Sequence, residues 1–273
     1  KAVSGRQQAV VIGGGYIGLE VAASLTKLGL RVDVIEMADR LLARVASPQI
    51  SAFFAELHQS HDVGLHIGAN CREILQKDGA FTGVQLDDGR QITAELLLVG
   101  IGVLPDLDLA ASAGIEAGNG ILVDAMMQSS VQDIFAIGDV ALIDGAALRI
   151  ESVDNAQMTA ARAAAAICGL AQPSMAAPWF WSEQFDVRLQ SAGIVPLASP
   201  DLRHQLRPGK REGGFSVWSY DDKGKLAAVE AVRDPAGYML GKKCLDLGLS
   251  PDSDDIGNGD FDLKGFVAAG NKK

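Results

Sequence analysis

Three glycines at fixed spacing are the first residues of this chain whose pattern indicates chemistry. Gly13, Gly15 and Gly18 form G-x-G-x-x-G directly after the apolar run AVVI, at the start of YIGLEVAASLTKLG, whose apolar residues recur at helical spacing. The first glycine permits a tight turn, the second lets backbone approach a pyrophosphate, and the third lets the helix pack on the strand. A helix N-terminus also attracts phosphate. The pattern predicts a dinucleotide site, with Tyr16 and Ile17 of the same motif as further binding candidates.

An acidic residue follows at the distance that this chemistry requires. Glu36 ends the second predicted strand, LRVDVIE, near the ~20-residue offset at which a carboxylate binds the adenine ribose. A 2′-phosphate beside it would cost about 1 to 4 kcal/mol, which favours NAD over NADP. Arg40 and Arg44 lie close enough in sequence to leave NADP open. In the alternative interpretation the glycines only let a helix pack on a sheet, and Glu36 is solvated.

A second glycine pair is expected at the nicotinamide end of the site. Gly100 and Gly102, with Ile101 between them, end AELLLVGIG, which the sequence predicts as a fully buried strand. Ligands bind at the carboxyl ends of strands in doubly wound sheets, although an ordinary loop is an equal alternative. Glu20, on the glycine-motif helix, also fits a carboxylate that merely favours the positive helix end.

The elements that position these residues follow from periodicity. Strand, helix and strand within about thirty residues make one βαβ unit with parallel strands. A helix is predicted at 48–60, a third strand at VGLHIG, and an antiparallel meander at 71–93. Further along, ILVDAMMQSS and QDIFAIGD are predicted strands, and an alanine-rich helix closes at Gly169. The last hundred residues predict a hairpin, GFSVWSY with KLAAVEAVR, and two helices.

Composition limits the classes of function. The length of 273 residues suggests roughly two domains, and the net charge of −10 argues against a nucleic-acid partner. The apolar stretches fall short of the ~20 residues that a membrane-spanning helix needs. Three scattered cysteines lack metal-ligand spacing, so we expect no metal and a reducing, cytoplasmic setting. The chain begins with lysine rather than methionine, and we expect its N-terminus to lie upstream.

Several longer stretches resemble one enzyme family. They are VVIGGGYIGLEVAASL, VGIGVLPD, QSSVQDIFAIGDVA, RIESVDNAQ and APWFWSEQ, in that order. The chain resembles the FAD-dependent, NADH-linked ferredoxin reductases that serve bacterial ring-hydroxylating dioxygenases and cytochromes P450. In that family an FAD segment precedes the NADH domain, and this chain resembles the family from the NADH domain onward. The glycine fingerprint of the FAD segment is not in the sequence, so we expect this chain alone to retain FAD weakly or not at all.

The resemblance implies roles for five residues. Gly138 and Asp139 of IFAIGD would bind FAD, with the aspartate on the ribitol, and Val153 would contact the isoalloxazine through its backbone. Glu20 would hold the nicotinamide carboxamide. Trp181 would lie beside the flavin where ferredoxin docks. Pattern alone also fits a turn or helix-cap aspartate at position 139.

Candidates for the partner surface are less specific. Interdomain packing is the better interpretation of Trp179 and Phe180. The family's basic residue on the alanine-rich helix is expected at Ala161, but the arginine stands at position 162, a rotation of roughly 100°. A basic run could attract an acidic ferredoxin, although a solvated loop is more frequent. The run comprises Arg203, Arg207, Lys210 and Arg211.

The sequence therefore predicts an α/β protein of glutathione reductase-like, two-dinucleotide-fold type. A Rossmann-type NADH domain is expected at 1–107, the C-terminal part of an FAD domain at 108–173, and an α+β domain at 174–273. The implied function is hydride transfer from NADH to FAD and then single electrons to a [2Fe–2S] ferredoxin, with Rieske-type proteins among the candidates. No side-chain acid, base or nucleophile is required. The alternatives are a rubredoxin reductase, NADH oxidase or disulfide reductase, or a non-catalytic NAD-binding fragment.

Overall fold

A computed structural model describes residues 3–146, 148–195 and 202–271. The chain divides into two compact units: the first combines Lys1–Gly102 with Trp181–Lys273, and the second is Val103–Phe180. Within the described ranges, no helix is both long enough and apolar enough to cross a membrane.

The first hundred residues form a parallel sheet, two helices and a small antiparallel sheet. In chain order the elements are β1 (Gln8–Ile12), α1 (Tyr16–Lys27), β2 (Arg31–Glu36), α2 (Pro48–Ser60), β3 (Gly64–Ile67), β4 (Cys71–Lys77), β5 (Ala80–Leu86), β6 (Gln91–Thr93) and β7 (Leu96–Val99). The parallel sheet has the strand order β3-β2-β1-β7, and β4, β5 and β6 form the meander. The predicted βαβ unit and the parallel pairing of its strands are confirmed.

One expectation about this sheet is wrong. Because AELLLVGIG is almost entirely apolar, the sequence predicts a fully buried strand, yet Leu96, Leu97 and Leu98 are only half-buried and Val99 is 56% exposed. The reason is position: β7 pairs with β1 on one side and is the edge of the described sheet. The glycines that follow it therefore lie at a partly open sheet edge.

The second unit is short in regular structure. Its elements are α3 (Asp108–Ser112), β8 (Ile121–Val123), a 3₁₀ turn (Gly138–Val140), β9 (Ala141–Ile143) and α4 (Val153–Ile167). β8 and β9 pair in parallel over a small core. The prediction of a strand at QDIFAIGD is wrong, since Phe135 makes only an isolated bridge with Gln128 and the chain then turns at Gly138, where φ is +69°.

The C-terminal segment of the first unit is an antiparallel sheet with helices. Its elements are β10 (Trp179–Gln184), β11 (Val187–Gly193), β12 (Arg203–Pro208), β13 (Phe215–Tyr220), β14 (Leu226–Val232), α5 (Pro235–Asp246), α6 (Ser253–Gly257) and α7 (Leu263–Gly270). The strand order is β10-β11-β14-β13-β12. The β13–β14 hairpin is confirmed, and three described helices follow it instead of the two expected.

The two segments of the first unit share one hydrophobic core. Leu19 of α1 and Phe54 of α2 belong to the same buried cluster as Leu189, Val217 and Val232 of the C-terminal sheet. We call this surface, between the α1 and α2 side of the parallel sheet and strands β10, β11, β13 and β14, the seam. It fixes α1 and α2 against β10 within the unit, because close-packed interiors resist relative movement.

Candidate dinucleotide-binding site

The turn between β1 and α1 is too tight for side chains at two of its glycines. Gly13 has φ +107°, and a β-carbon there would lie 2.4 Å from the carbonyl oxygen of Gly100. A β-carbon on Gly18 would lie 2.0 Å from the carbonyl oxygen of Gly13. Real β-carbons do not approach backbone this closely, so both positions need glycine for the fold itself.

Gly15 is different in kind. It is the N-cap of α1 with φ −79°, a conformation that any residue adopts, and a β-carbon built there meets no atom within 4 Å. No side chain caps this helix end, and no acidic residue lies in its first turn. An anion suits such a helix end, so the open space over Gly15 fits a pyrophosphate.

The carboxylate of Glu36 holds the loops around this space. Its Oε2 accepts a hydrogen bond from the N–H of Gly14 at 2.6 Å, and its Oε1 accepts one from the N–H of Ala38 at 2.7 Å. Each carboxylate oxygen can accept a second bond, so these contacts are compatible with a ribose hydroxyl on the same group. The glycine at position 14, which sequence reasoning did not single out, is packed against Leu41 and Glu36.

The two arginines near the site have different surroundings. Arg40 donates from Nη1 to the carbonyl of Ala46 and from Nη2 to that of Ala43, so its guanidinium stabilises the turn before α2. Arg44 is exposed, and its Nη2 lies 3.4 Å from where a β-carbon on Gly102 would stand. Of the two residues that left NADP open, Arg44 is the one whose guanidinium reaches this edge.

Gly100 and Gly102 lie beside the glycine loop. The N–H of Gly100 donates to the carbonyl of Ile12 at 2.7 Å, and Gly102 has φ +113°. Ile101 is 67% exposed and Ile17 of α1 is 69% exposed. Tyr16 is instead half-buried as a residue, and burial raises the pKa of its hydroxyl well above the usual value. The exposed pair of isoleucines gives this edge an apolar character.

Glu20 contacts the C-terminal segment. Its Oε1 accepts a hydrogen bond from Ser182 Oγ at 2.6 Å and a longer one from the N–H of Glu183 at 3.3 Å. Sequence reasoning did not single out Ser182, although it directly follows Trp181 in WFWS. Trp181 itself is 40% exposed, and the guanidinium carbon of Arg188 lies 5.9 Å from its ring centroid.

The candidates of the second unit surround the start of α4. The N–H of Gly138 donates to Thr159 Oγ1 at 2.9 Å, and Asp139 in the following position is exposed. The backbone carbonyl of Asp139 accepts from Arg149. Val153, the first residue of α4, is 57% exposed. The carboxylate and the helix start are therefore both accessible to a ligand of this unit.

Most of the basic partner candidates are engaged in the protein's own fold. Arg162 is buried and donates to the carbonyls of Ala125 and Pro173. Arg207 donates to three backbone carbonyls between residues 256 and 261. Arg203 forms an ion pair with Asp254. Lys210 and Arg211 are exposed, so only part of the basic run fits the expectation of a docking surface.

Sequence reasoning missed a buried carboxylate. Glu230 of β14 is fully buried in the seam and accepts hydrogen bonds from the N–H of Ser47 at 3.1 and 3.3 Å. Burial raises the pKa of Glu230 to about 7, against the opposing effects of Ser47 and Arg40. In KLAAVEAVR the glutamate is a single acid in an apolar strand, and that is the only signal the sequence offers.

Comparison with known proteins relates both segments to described families. Residues 1–160 match the family described as pyridine nucleotide-disulphide oxidoreductase, and residues 179–267 match the one described as reductase C-terminal. The chain is 41% identical over 266 residues to the 5,5′-dehydrodivanillate O-demethylase ferredoxin reductase subunit of Sphingobium sp. (strain NBRC 103272 / SYK-6), covering 95% of this chain and 63% of that protein.

Two solved structures are similar in fold over nearly the whole chain. The ferredoxin reductase for the CYP199A2 system from Rhodopseudomonas palustris is 39% identical with a TM-score of 0.91, covering 97% of this chain and 66% of that one. The reductase in the covalent putidaredoxin reductase–putidaredoxin complex is 34% identical with a TM-score of 0.91, covering 98% and 64%. The chain spans about three fifths of the length of the curated relatives that it matches.

Proposed function

The chain belongs to the pyridine nucleotide-disulphide oxidoreductase family, and on that premise we propose that it forms the NADH-binding and C-terminal parts of an FAD-dependent ferredoxin reductase. The observation that carries the proposal is one compact unit in which a glycine-loop parallel sheet is packed against a sheet of the reductase C-terminal family. The relatives whose names specify a ferredoxin reductase share both segments.

The NADH site is proposed along the carboxyl edge of the parallel sheet. The space over Gly15 and the start of α1 would take the pyrophosphate, and Glu36 would take the adenine ribose. Gly100 and Gly102 would leave room for the nicotinamide at the partly open edge strand β7. The carboxylate of Glu36 at the proposed ribose position supports NADH over NADPH, because a 2′-phosphate would lie beside a like charge.

The FAD contacts are proposed in the second unit. The exposed carboxylate of Asp139 suits a polyol hydroxyl, and Val153 at the start of α4 is also exposed. Gly138 itself is buried. When bound, FAD supplies the conversion of a two-electron hydride donor to single-electron transfer. The role of the chain's own residues is to bind and orient the nucleotides.

The electron acceptor is proposed to be a [2Fe–2S] ferredoxin of a dioxygenase or P450 system, Rieske-type proteins included. Trp181 is exposed on β10, and exposed aromatic residues are enriched at the energetic centres of interfaces. Lys210 and Arg211, on the same acidic protein, would add local attraction for an acidic partner.

The proposal also covers the division of the chain into functional segments and its cellular setting. The functional division of the chain is proposed as NADH domain 1–107, partial FAD domain 108–173 and α+β domain 174–273. A cytoplasmic setting is proposed because Cys71, Cys168 and Cys244 are all free thiols, which reducing conditions preserve.

The acceptor test separates the two half-reactions in the FAD-loaded protein. Trp181→Ala should retain NADH-dependent ferricyanide reduction, because that small oxidant needs no docking surface. Ferredoxin-linked cytochrome c reduction should fall about tenfold or more. The matched control is Met239→Ala, which truncates a 69% exposed side chain on α5. Equal loss of both activities, or faster transfer to rubredoxin than to any [2Fe–2S] ferredoxin, would contradict the proposal.

A further inference from the structure

Four polar side chains on three elements form one chain of hydrogen bonds inside the first unit. Glu20 lies on α1, Ser182 and Gln184 on β10, and His58 on α2. Ser182 Oγ lies 2.6 Å from Glu20 Oε1, Gln184 Nε2 lies 3.1 Å from Ser182 Oγ, and His58 Nε2 lies 2.9 Å from Gln184 Oε1. This row of hydrogen bonds therefore crosses the seam from α1 to α2.

The three supporting side chains are completely inaccessible to water. Ser182, Gln184 and His58 each have 0% exposure, and strand alternation turns Trp181 and Glu183 to the opposite, exposed face of β10. A buried polar group that loses its hydrogen-bond partner is destabilising, so each of these side chains favours the geometry in which its neighbour is hydrogen-bonded. Burial therefore keeps these hydrogen-bonded side chains in one arrangement.

The direction of the hydrogen bonds is fixed from the carboxylate end. The hydroxyl of Ser182 donates a hydrogen bond to Glu20 Oε1 and accepts one from the amide N–H of Gln184. The carbonyl of Gln184 then requires a donor, which is the Nε2–H of His58. Burial lowers the pKa of His58, and its Nδ1 has no hydrogen-bond partner among the described residues. A neutral histidine with its proton on Nε2 satisfies all of these conditions.

Among the described residues, both hydrogen bonds to the Glu20 carboxylate end on the same oxygen. Oε1 accepts from the Ser182 hydroxyl and from the N–H of Glu183, which leaves Oε2 to accept from an external donor. The amide of a nicotinamide carboxamide is a donor of the required kind.

We infer that Ser182 is a positioning residue for the nicotinamide end of the dinucleotide site: supported by Gln184 and His58, it anchors one oxygen of Glu20 so that the other faces the carboxamide. The inference rests on the proposed function and on the role that the family resemblance implies for Glu20, that of holding the nicotinamide carboxamide. The C-terminal segment, although it contains no part of the glycine loop, thereby contributes to nicotinamide binding through α1.

The test compares NADH with ADP-ribose, which lacks the nicotinamide. In the full chain, Ser182→Ala should weaken NADH binding about fivefold, the effect of a hydrogen bond worth about 1 kcal/mol, and leave ADP-ribose binding unchanged. Ser191→Ala is the matched control, because Ser191 is a buried serine of the adjacent strand β11 whose hydroxyl has no partner within the described residues. Isothermal titration gives both dissociation constants, and thermal unfolding verifies the fold.

A double-mutant cycle distinguishes positioning from general support of the fold. If Ser182 acts through Glu20, Ser182→Ala combined with Glu20→Ala should bind NADH no more weakly than Glu20→Ala alone. Ser182→Thr, which restores the hydroxyl, should restore the preference for NADH, and it carries the test if Ser182→Ala does not unfold cooperatively.

The outcomes separate the inference from the proposed function. Parallel weakening of NADH and ADP-ribose binding, additive losses in the double variant, or an unchanged NADH dissociation constant in Ser182→Ala would each overturn the positioning role. An unchanged NADH dissociation constant in Glu20→Ala would overturn it as well. A wild-type chain that binds neither nucleotide would overturn the proposed function and the inference together.

Discussion

The glycine loop and the seam lie in the same compact unit but use opposite physical means. The loop owes its shape to missing side chains: at Gly13 and Gly18 a single β-carbon would collide with backbone. The seam instead depends on polar side chains buried in an apolar interface, such as Glu230, His58 and Gln184. A loop of this kind leaves space for a ligand, whereas the seam excludes water and fixes the elements on which the ligand would rest.

The difference also concerns distance along the chain. The G-x-G-x-x-G motif acts within six residues, and Glu36 reaches Gly14 across 22 positions. Across the seam, His58 and Gln184 are separated by 126 positions and Ser47 and Glu230 by 183. Local sequence patterns therefore specify the glycine loop, whereas only the tertiary fold brings the residues of the seam together.

The largest expected effect separates the fold of the loop from its binding. Gly13→Ala and Gly18→Ala should each lower the free energy of unfolding by about 3 kcal/mol, because the new methyl group overlaps backbone atoms that cannot move independently. Gly15→Ala should leave stability within about 0.5 kcal/mol of wild type, since its conformation is ordinary and its surroundings are open. Chemical denaturation measures all three.

Gly15→Ala also tests the assignment of the space over Gly15 to a pyrophosphate. Gly15→Ala should fold normally and bind NADH at least tenfold more weakly, if the pyrophosphate lies where the methyl group would stand. Normal NADH binding by a stably folded Gly15→Ala chain would place the phosphates elsewhere.

The next effect concerns pH and the buried carboxylate of the seam. Burial raises the pKa of Glu230 from 4.5 to about 7. Below pH 4.5 the carboxyl group of Glu230 is protonated in both the folded and the unfolded chain. Between pH 4.5 and about 7 the unfolded chain releases this proton, whereas the folded chain keeps it. The free energy of unfolding should therefore fall as pH rises, by about 3 kcal/mol in total, with the loss complete above about pH 7.

Glu230→Gln removes this dependence. The free energy of unfolding of the variant should match that of wild type near pH 4.5. At pH 8, where the wild-type chain must bury a charge, it should exceed the wild-type value by about 3 kcal/mol. Urea titrations at both pH values test this, with Glu56→Gln, at an exposed position of α2, as the control. A variant that is less stable than wild type at pH 8 would mean that the buried charge is net stabilising.

The sequence predicts the locally specified features of this molecule but not those that depend on the tertiary fold. The bounds of α2 and the β1-α1-β2 unit follow from apolar spacing and turn residues, which are local. The edge position of β7 could not be predicted, because an apolar strand has the same composition at an edge as in the centre of a sheet. The hydrogen bond between Ser182 and Glu20 could not be predicted either, since neither residue's own neighbourhood specifies the other.

A smaller effect is expected where the seam reaches solvent. Lys27 is exposed on α1, and its Nζ donates to the carbonyl of Phe185 at 2.6 Å. Lys27→Met keeps most of the aliphatic contact and removes the donor, so it should cost about 1 kcal/mol, less than a buried charged hydrogen bond because water can replace the lysine. Thermal unfolding measures the change, and a loss above about 2.5 kcal/mol would show that this bond is effectively buried.

The smallest effect is expected from an ion pair outside the buried part of the seam. Arg233 follows β14, and its Nη2 lies 2.9 Å from Oδ2 of Asp186, in the turn between β10 and β11, with side-chain exposures of 39% and 72%. Exposed pairs of this kind contribute about 0.2 to 1 kcal/mol, because solvent screens the attraction and both side chains lose rotamer freedom.

Asp186→Asn, which keeps the shape of the side chain, should therefore lower the free energy of unfolding by no more than about 0.5 kcal/mol at low salt. At about 1 M salt, where the Debye length is about 3 Å, the difference should vanish. A cycle with Arg233→Gln isolates the pairwise coupling from the separate effects of each substitution. A coupling near 3 kcal/mol that persists in salt would place this pair with the buried contacts of Glu230 and His58, and the distinction between a dry seam and its solvated rim would then fail.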